Sequence, residues 1–173
     1  MLPKLILTDI DGVWTDGGMY YDDKGGEFKK FNTSDSAGIL FCKLLGIKTG
    51  IITGEDTSIV QKRSNKLKID YLFLGAKNKL SLITKLSVEL GIGLDEIAYI
   101  GDDINDIPLL KNVGISAAPS NAPDYVKDIV NIKVPVEGGS GAFRWFVESI
   151  LKEEKVLEKA LKIYFKNLED FNQ

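Results

Sequence analysis

The chain has 173 residues, 44% of them hydrophobic, which suits one domain with a sizeable core and argues against disorder or a staple-dependent miniature fold. Twenty-two Lys and Arg against 25 Asp and Glu give a formal charge of −3, without the basic excess needed to track nucleic-acid phosphates. Histidine is absent, which excludes Ser-His-Asp and Cys-His nucleophile systems, His-ligated zinc and an imidazole base unless another chain supplies one; acid–base work falls to carboxylates, Lys or Tyr.

Residues 1–9 lack the long apolar stretch of a signal peptide, and no run approaches about 18 apolar residues, so no membrane partner and a cytoplasmic location are expected. Leu5 to Thr8 is a short apolar run halted by acidic residues and a glycine, the pattern of a buried strand entering a loop. Residues 17–31 read as a β-hairpin with a Gly-rich turn, and its Tyr20, Phe28 and Phe31 are available to pack on another subunit. A helix over 36–45 follows, then a strand over 47–52, a helix over 57–67 and a strand over 71–74. The next helix, 78–90, ends at Gly91. Strands over 97–100, 113–117 and 129–134 complete the set. Cys42, the only cysteine, sits in an apolar run and reads as a buried, inert thiol. Beyond Gly138-Gly139-Ser140-Gly141, apolar residues from Phe143 to Leu168 recur at helical steps. This alternation predicts an α/β fold: a doubly wound parallel sheet, with a hairpin after the first strand and no cap domain. Residues 1–151 form one domain and 152–173 a C-terminal helical tail.

In open α/β sheets, ligands bind beyond the carboxyl ends of the strands, where strand order reverses. Asp9 and Asp11 follow the first strand, Thr53-Gly54-Glu55 the second, and Gly101-Asp102-Asp103 the fourth, with Asp106 close behind; Lys79 begins the helix before that strand. Two residues apart in extended chain, Asp9 and Asp11 address one side of the strand tip. Their repulsion with Asp102 calls for a cation, and a donor set of carboxylates without His or Cys selects Mg²⁺ over zinc. Thr53 and the backbone N–H groups around Gly54 suit a phosphate's oxygens, and Lys79 adds positive charge. An Asp after a strand is often only a turn former. It is the recurrence of such residues at successive strand ends that points to phosphoryl chemistry.

Asp9-Ile10-Asp11-Gly12-Val13-Trp14-Thr15, Thr53-Gly54, Lys79 and Gly101-Asp102-Asp103-Ile104-Asn105-Asp106 resemble the haloacid dehalogenase superfamily of phosphotransferases. The resemblance implies Asp9 as nucleophile and Asp11 as general acid, then base. It implies Mg²⁺ held by Asp9, the backbone carbonyl of Asp11 and Asp102, with Asp103 and Asp106 orienting metal waters or Lys79. Over residues 4–151 the hairpin, Phe31 to Gly38 and Gly138 to Arg144 resemble the capless phosphatases of 3-deoxy-2-ketoaldonate phosphates. That group includes the octulosonate 8-phosphate and nononate 9-phosphate enzymes. In it the hairpin is a flap and a tetramer contact, and the site lies between subunits.

Glu55 and Ser140 stand where the octulosonate enzymes' pattern has Arg. Glu55-Asp56-Thr57 with Lys62, Arg63 and Lys66 is closer to the nononate enzyme, which implies sugar contacts from Glu55 and Lys66 and an Arg63 reaching a neighbouring site. The plainer reading leaves Glu55 and Asp56 favouring a helix N-terminus and Lys66 solvated. Asp35 and Gly38 are expected to line the phosphate end, Asp35 also serving as a helix cap; residues 137–144 read as flexible by composition, either closing over the substrate of another subunit with Arg144 offering a charge, or forming an ordinary loop and helix start. The expectation is an Mg²⁺-dependent phosphatase for a 2-keto-3-deoxy sugar acid phosphate, the nine-carbon nononate ahead of octulosonate 8-phosphate or N-acetylneuraminate 9-phosphate. A response-regulator receiver is disfavoured, because its acidic pair is adjacent and its phospho-accepting Asp lies on the third strand. A catalytically silent oligomerisation domain is the other alternative, against which stand Asp9, Asp11, Thr53, Lys79 and Asp102, all retained.

Overall fold

The computed structural model describes residues 1–171, so the last two residues of the anticipated 152–173 tail lie outside the described residues. Its elements in chain order are β1 (Leu5–Thr8), β2 (Tyr20–Tyr21), β3 (Glu27–Phe28), α1 (Asp35–Leu44), β4 (Lys48–Ile52), α2 (Ser58–Leu67), β5 (Tyr71–Phe73) and α3 (Lys79–Leu90). They continue with β6 (Ile97–Ile100), α4 (Ile107–Leu110), β7 (Ile115–Ala118), α5 (Asp124–Lys127), β8 (Ile132–Lys133), α6 (Ala142–Glu153) and α7 (Leu157–Phe171). Six strands form one parallel sheet in the order β5-β4-β1-β6-β7-β8, and β2 and β3 pair antiparallel as a separate hairpin. The doubly wound sheet expected from the alternation is thus present.

Each central strand is buried on both faces, and alternate side chains serve different cores. In β1, Ile6 joins the cluster shared with α1, α2 and α6, whereas Leu5 and Leu7 join the one under α3, α4 and α5. β6 divides in the same way, Ala98 and Ile100 against Ile97 and Tyr99. The register is level: Thr8 pairs with Ile51 of β4 and Ile100 of β6. The residues that follow these three strands therefore emerge side by side where strand order reverses, on either side of β1.

Local chemistry sets the element ends. Thr57 and Asn78 cap α2 and α3 through their side-chain oxygens, and Gly91 closes α3 in the left-handed conformation. β8 is shorter than the apolar run 129–134. Ile129 and Val130 pack into the second core beside α5, and the Asn131 side chain accepts the Ser116 N–H at 2.8 Å. The helical stretch after residue 141 is two helices. Lys155 takes a left-handed φ of 57°, and α7 folds back against α1 with Ala160 buried. α6 continues to Glu153, across the start of the 152–173 tail.

Candidate active site

The loop after β1 turns sharply at Gly12, whose φ is 79°. That conformation favours glycine, and a Cβ there would sit 1.9 Å from Asp102 Oδ2 and push that carboxylate aside. The carbonyl of Gly12 accepts from Asn121 Nδ2 (3.1 Å), and Asn121 Oδ1 accepts the Gly138 N–H (2.7 Å). Trp14, fully buried, donates to Thr8 Oγ1 (3.0 Å) and pins the loop from beneath.

These loops open on a cavity of about 280 Å³ lined by Asp9, Asp11, Gly12, Gly17, Met19, Thr53, Gly54, Glu55, Asp102, Asp103 and Asn105. Asp9 forms its floor at 5% exposure: Oδ1 accepts the Ile10 N–H (2.8 Å) and Oδ2 faces Lys79 Nζ (2.9 Å). Burial, together with the charge of Asp106, pushes the Asp9 carboxyl up to about 7 against the pull of Lys79. Lys79 is buried too. Burial works against its ammonium, but Asp9 and Asp106 outweigh it and hold its pKa above the ordinary value. Asp106 is fully engaged. Its Oδ1 takes Lys79 (2.5 Å) and the Tyr99 hydroxyl, and its Oδ2 takes the N–H groups of Asp102 (3.0 Å) and Asp103 (3.1 Å). Asp103 caps the turn at 104–106 through the Ile104 N–H.

Asp9, Asp102 and Asp106 bring carboxylate oxygens within 4.8 Å of one another, against the single ammonium of Lys79. Burial and then the charges of Asp9, Asp106 and Asp103 push Asp102 up to about 8. Crowded hard oxygen donors, raised in pKa and short of positive charge, fit a divalent hard cation such as Mg²⁺. Since Asp106 is committed to Lys79, Tyr99 and two backbone N–H groups, Asp9 and Asp102 are the side chains left to hold the metal. The Asp11 carboxylate stands apart from the cluster, turned toward Lys29 of the hairpin (2.7 Å), a partner that no motif singles out. Across the cavity Thr53, itself buried, accepts the Glu55 N–H on Oγ1 (3.2 Å), leaving its O–H to donate to an oxyanion.

Residues 52–141 match the haloacid dehalogenase-like hydrolase family. Over 151 residues the chain is 36% identical to the 3-deoxy-D-manno-octulosonate 8-phosphate phosphatase KdsC of Haemophilus influenzae, covering 87% of this chain and 84% of that one. The chain belongs to the haloacid dehalogenase-like hydrolases. A probable YrbI family phosphatase from Pseudomonas syringae superposes with a TM-score of 0.90 at 40% identity, covering 94% of this chain and 93% of that one. The Moraxella catarrhalis 3-deoxy-D-manno-octulosonate 8-phosphate phosphatase, solved with magnesium, phosphate and KDO, gives 0.90 at 31% identity with the same coverage. Like its relatives, the protein is a phosphoric monoester hydrolase.

This hydrolase gathers Asp9, Asp11, Thr53, Gly54, Glu55, Asp102 and Asp103 at one cavity, with Lys79 and Asp106 directly beneath Asp9. The other expected contacts lie elsewhere in the chain. Gly38 sits in the seam between α1 and α6, where a Cβ would come 2.9 Å from the Phe143 ring. Asp35, buried in the first turn of α1, accepts the Arg144 N–H (3.0 Å) and so caps α6, not α1. Burial pushes its carboxyl up to about 6 in spite of Arg144 and Arg63. Arg63 donates to Asn32 O (3.3 Å) and Ser36 Oγ (3.1 Å), its guanidinium over the rings of Trp14 (5.8 Å) and Phe31 (5.7 Å). Arg144 pairs with Glu148 (2.6 Å), and Lys66 lies in a shallow groove between α1 and α2. The glycine-rich loop, read as flexible and able to close over the substrate of another subunit, packs in this chain against the loop after β1. A Cβ on Gly138 would lie 1.9 Å from Gly12 O, and the Gly139 N–H donates to Val13 O (3.1 Å). Cys42 is buried, which pushes its thiol up to about 12.

Proposed function

We propose that this chain hydrolyses the terminal phosphate of a 3-deoxy-2-keto sugar acid, with 3-deoxy-D-manno-octulosonate 8-phosphate as substrate and Mg²⁺ as cofactor. The observation that carries the reaction class is Asp9: a buried carboxylate at a strand tip, with one oxygen on Lys79 and its neighbours Thr53 and Asp11 around the same cavity. An Asp9 oxygen forms the bond to phosphorus as the ester P–O bond breaks. The electron pair stays on the ester oxygen, which takes a proton from Asp11. Asp11 then accepts a proton from the water that displaces Asp9. Lys79 holds Asp9 in place and offsets charge, and the Thr53 O–H donates to a phosphoryl oxygen. Asp9 and Asp102 would hold Mg²⁺, which would supply Lewis-acid polarisation of the phosphoryl group.

The identity to octulosonate 8-phosphate phosphatases supports the eight-carbon acid and reverses the preference drawn from the sequence. Glu55 favours a second reading, the nine-carbon nononate 9-phosphate or its N-acetylneuraminate counterpart: it lines the cavity mouth as a hydroxyl acceptor, where the resemblance expects Arg. The exposed Tyr20, Tyr21 and Phe28 support a homotetramer with the hairpin at the interface. No helix among the described residues is long and apolar enough to cross a membrane, which accords with a cytoplasmic enzyme.

Phosphate release with Mg²⁺ from these three sugar acid phosphates and from 4-nitrophenyl phosphate, with Asp9→Asn as blank, tests both readings. A kcat/KM for the octulosonate at least about tenfold above the nine-carbon acids, about 1.4 kcal/mol, is expected. A nine-carbon preference of that size would put the Glu55 reading first. Release from none of them would overturn both in favour of a silent oligomerisation domain, and an Asp9→Asn protein as active as the wild type would overturn the assignment of Asp9 as nucleophile.

A further inference from the structure

The hairpin carries a lysine whose side chain is fully enclosed while its backbone stays partly exposed: Lys29, just after β3. An ammonium withdrawn from water needs compensating charge. Lys29 Nζ finds it at Asp11 Oδ1 (2.7 Å), with Glu27 Oε1 at 3.4 Å and Met19 Sδ at 3.9 Å. Thr15 Oγ1, from the catalytic loop, donates to the same Asp11 oxygen (3.3 Å). Asp11 Oδ2, in contrast, is buried and receives no hydrogen bond. Two donors from different segments thus converge on one oxygen, and the other keeps its bonding capacity unspent. Glu27 Oε1 is likewise buried without a hydrogen bond, but it faces the Lys29 ammonium at 3.4 Å, whereas Asp11 Oδ2 has no such compensation and calls for a functional account.

We infer that Lys29 is a positioning residue for Asp11: with Thr15 it fixes the carboxyl by Oδ1, so that Oδ2 is the oxygen that exchanges the proton with the ester oxygen. This rests on the phosphatase reading above. In the first step the proton leaves Oδ2 for the departing ester oxygen as the P–O bond breaks. In the second, Oδ2 takes a proton from water as the P–O bond to Asp9 is cleaved. Lys29 makes and breaks no bond. It also couples the hairpin to the chemistry, since Lys29 is the hairpin side chain bonded to Asp11.

The test separates esters that need a proton from those that do not. A sugar alkoxide is a poor leaving group without protonation, whereas 4-nitrophenolate departs unaided. For Lys29→Met, kcat/KM, which reports only the steps through loss of the ester oxygen and not the later attack of water, should fall about thirtyfold or more on the sugar acid phosphate that the wild type hydrolyses best. On 4-nitrophenyl phosphate it should stay within about threefold of wild type. Lys29→Arg, which keeps a cation, should recover most of the loss on the alkyl ester. Thr15→Val, which removes the other donor, and with it an acceptor for the Gly12 and Gly17 N–H groups, while leaving Lys29 in place, should show the same selectivity at smaller size, and it decides the matter where Lys29→Met does not fold. Equal loss on both esters, or loss on neither, overturns the inference. A wild type that releases phosphate from neither ester instead overturns the phosphatase reading itself.

Discussion

Two of the charged clusters in this protein are built on buried carboxylates, Asp9 in one and Asp35 in the other, and the sequence pointed both of these to the active site. At the floor, Asp9, Asp102 and Asp106 crowd around one lysine and open on a cavity. In the seam between α1 and α6, Asp35 faces Arg63 and Arg144, and none of the three lines that cavity. The floor has more negative charge than its own cations neutralise, which is the condition of a site that receives a metal and a phosphoryl group. The seam's charges serve to cap α6 and to tie α1 to its neighbours. A buried carboxylate is therefore no sufficient sign of a site. What distinguishes the floor is an uncompensated charge facing open space.

The hardest blow to the floor would be Lys79→Met. Lys79 is 2% exposed and is the partner of both Asp9 and Asp106, so its loss strands two buried carboxylates. We expect a destabilisation of about 3–5 kcal/mol in urea, together with loss of phosphatase activity. A change below about 1 kcal/mol would mean that the floor tolerates unbalanced charge and would erase its difference from the seam.

Removing the metal should expose the same imbalance through pH. Without a cation, Asp9 and Asp102 are pushed up to about 7 and 8 from an ordinary 3.8. The native state then holds protons that the unfolded chain has released, so metal-free stability falls as pH rises from about 4 through about 8. Mg²⁺ favours the ionised carboxylates and should flatten or reverse this slope. Urea midpoints at pH 5 and pH 8, in EDTA and in Mg²⁺, read it directly. Equal slopes in the two conditions would show that these carboxylates do not bind the ion, as would Asp102→Asn retaining the full Mg²⁺ response.

The floor was legible because its residues are local to strand ends. An apolar run, then Asp, Thr-Gly or Gly-Asp-Asp, is read within a few positions, and the parallel register brings the tips together. The seam misled because the pairing that defines it, Asp35 with the Arg144 N–H, spans 109 residues, and no local pattern separates a distant cap from a phosphate ligand. Asn121 was missed for the same reason: it lies 109 residues from Gly12 and carries no motif. Lys29 lies 18 residues from Asp11, and nothing in the local hairpin pattern around it signals that pairing. Gly138 and Gly139 looked flexible by composition, yet they are small because the backbone of Gly12, Thr15 and Asp16 passes so close.

The seam's own test is the smallest in size and the most specific. At neutral pH the Asp35 carboxylate is ionised but buried, with Oδ2 lacking a partner, and its pKa has been driven up to about 6 mainly by burial. Asn keeps an oxygen for the Arg144 N–H and removes the buried charge. Below about pH 4, where the carboxyl is protonated in both folded and unfolded chains, Asp35→Asn should change stability little. Asp35 becomes a growing liability between about pH 4 and 6, so above pH 6 the variant should be more stable than wild type, on the order of 1–2 kcal/mol. Phosphatase activity should stay within about threefold. A large loss of activity with an intact fold would return Asp35 to the phosphate end of the site, and the difference between the two clusters would no longer hold.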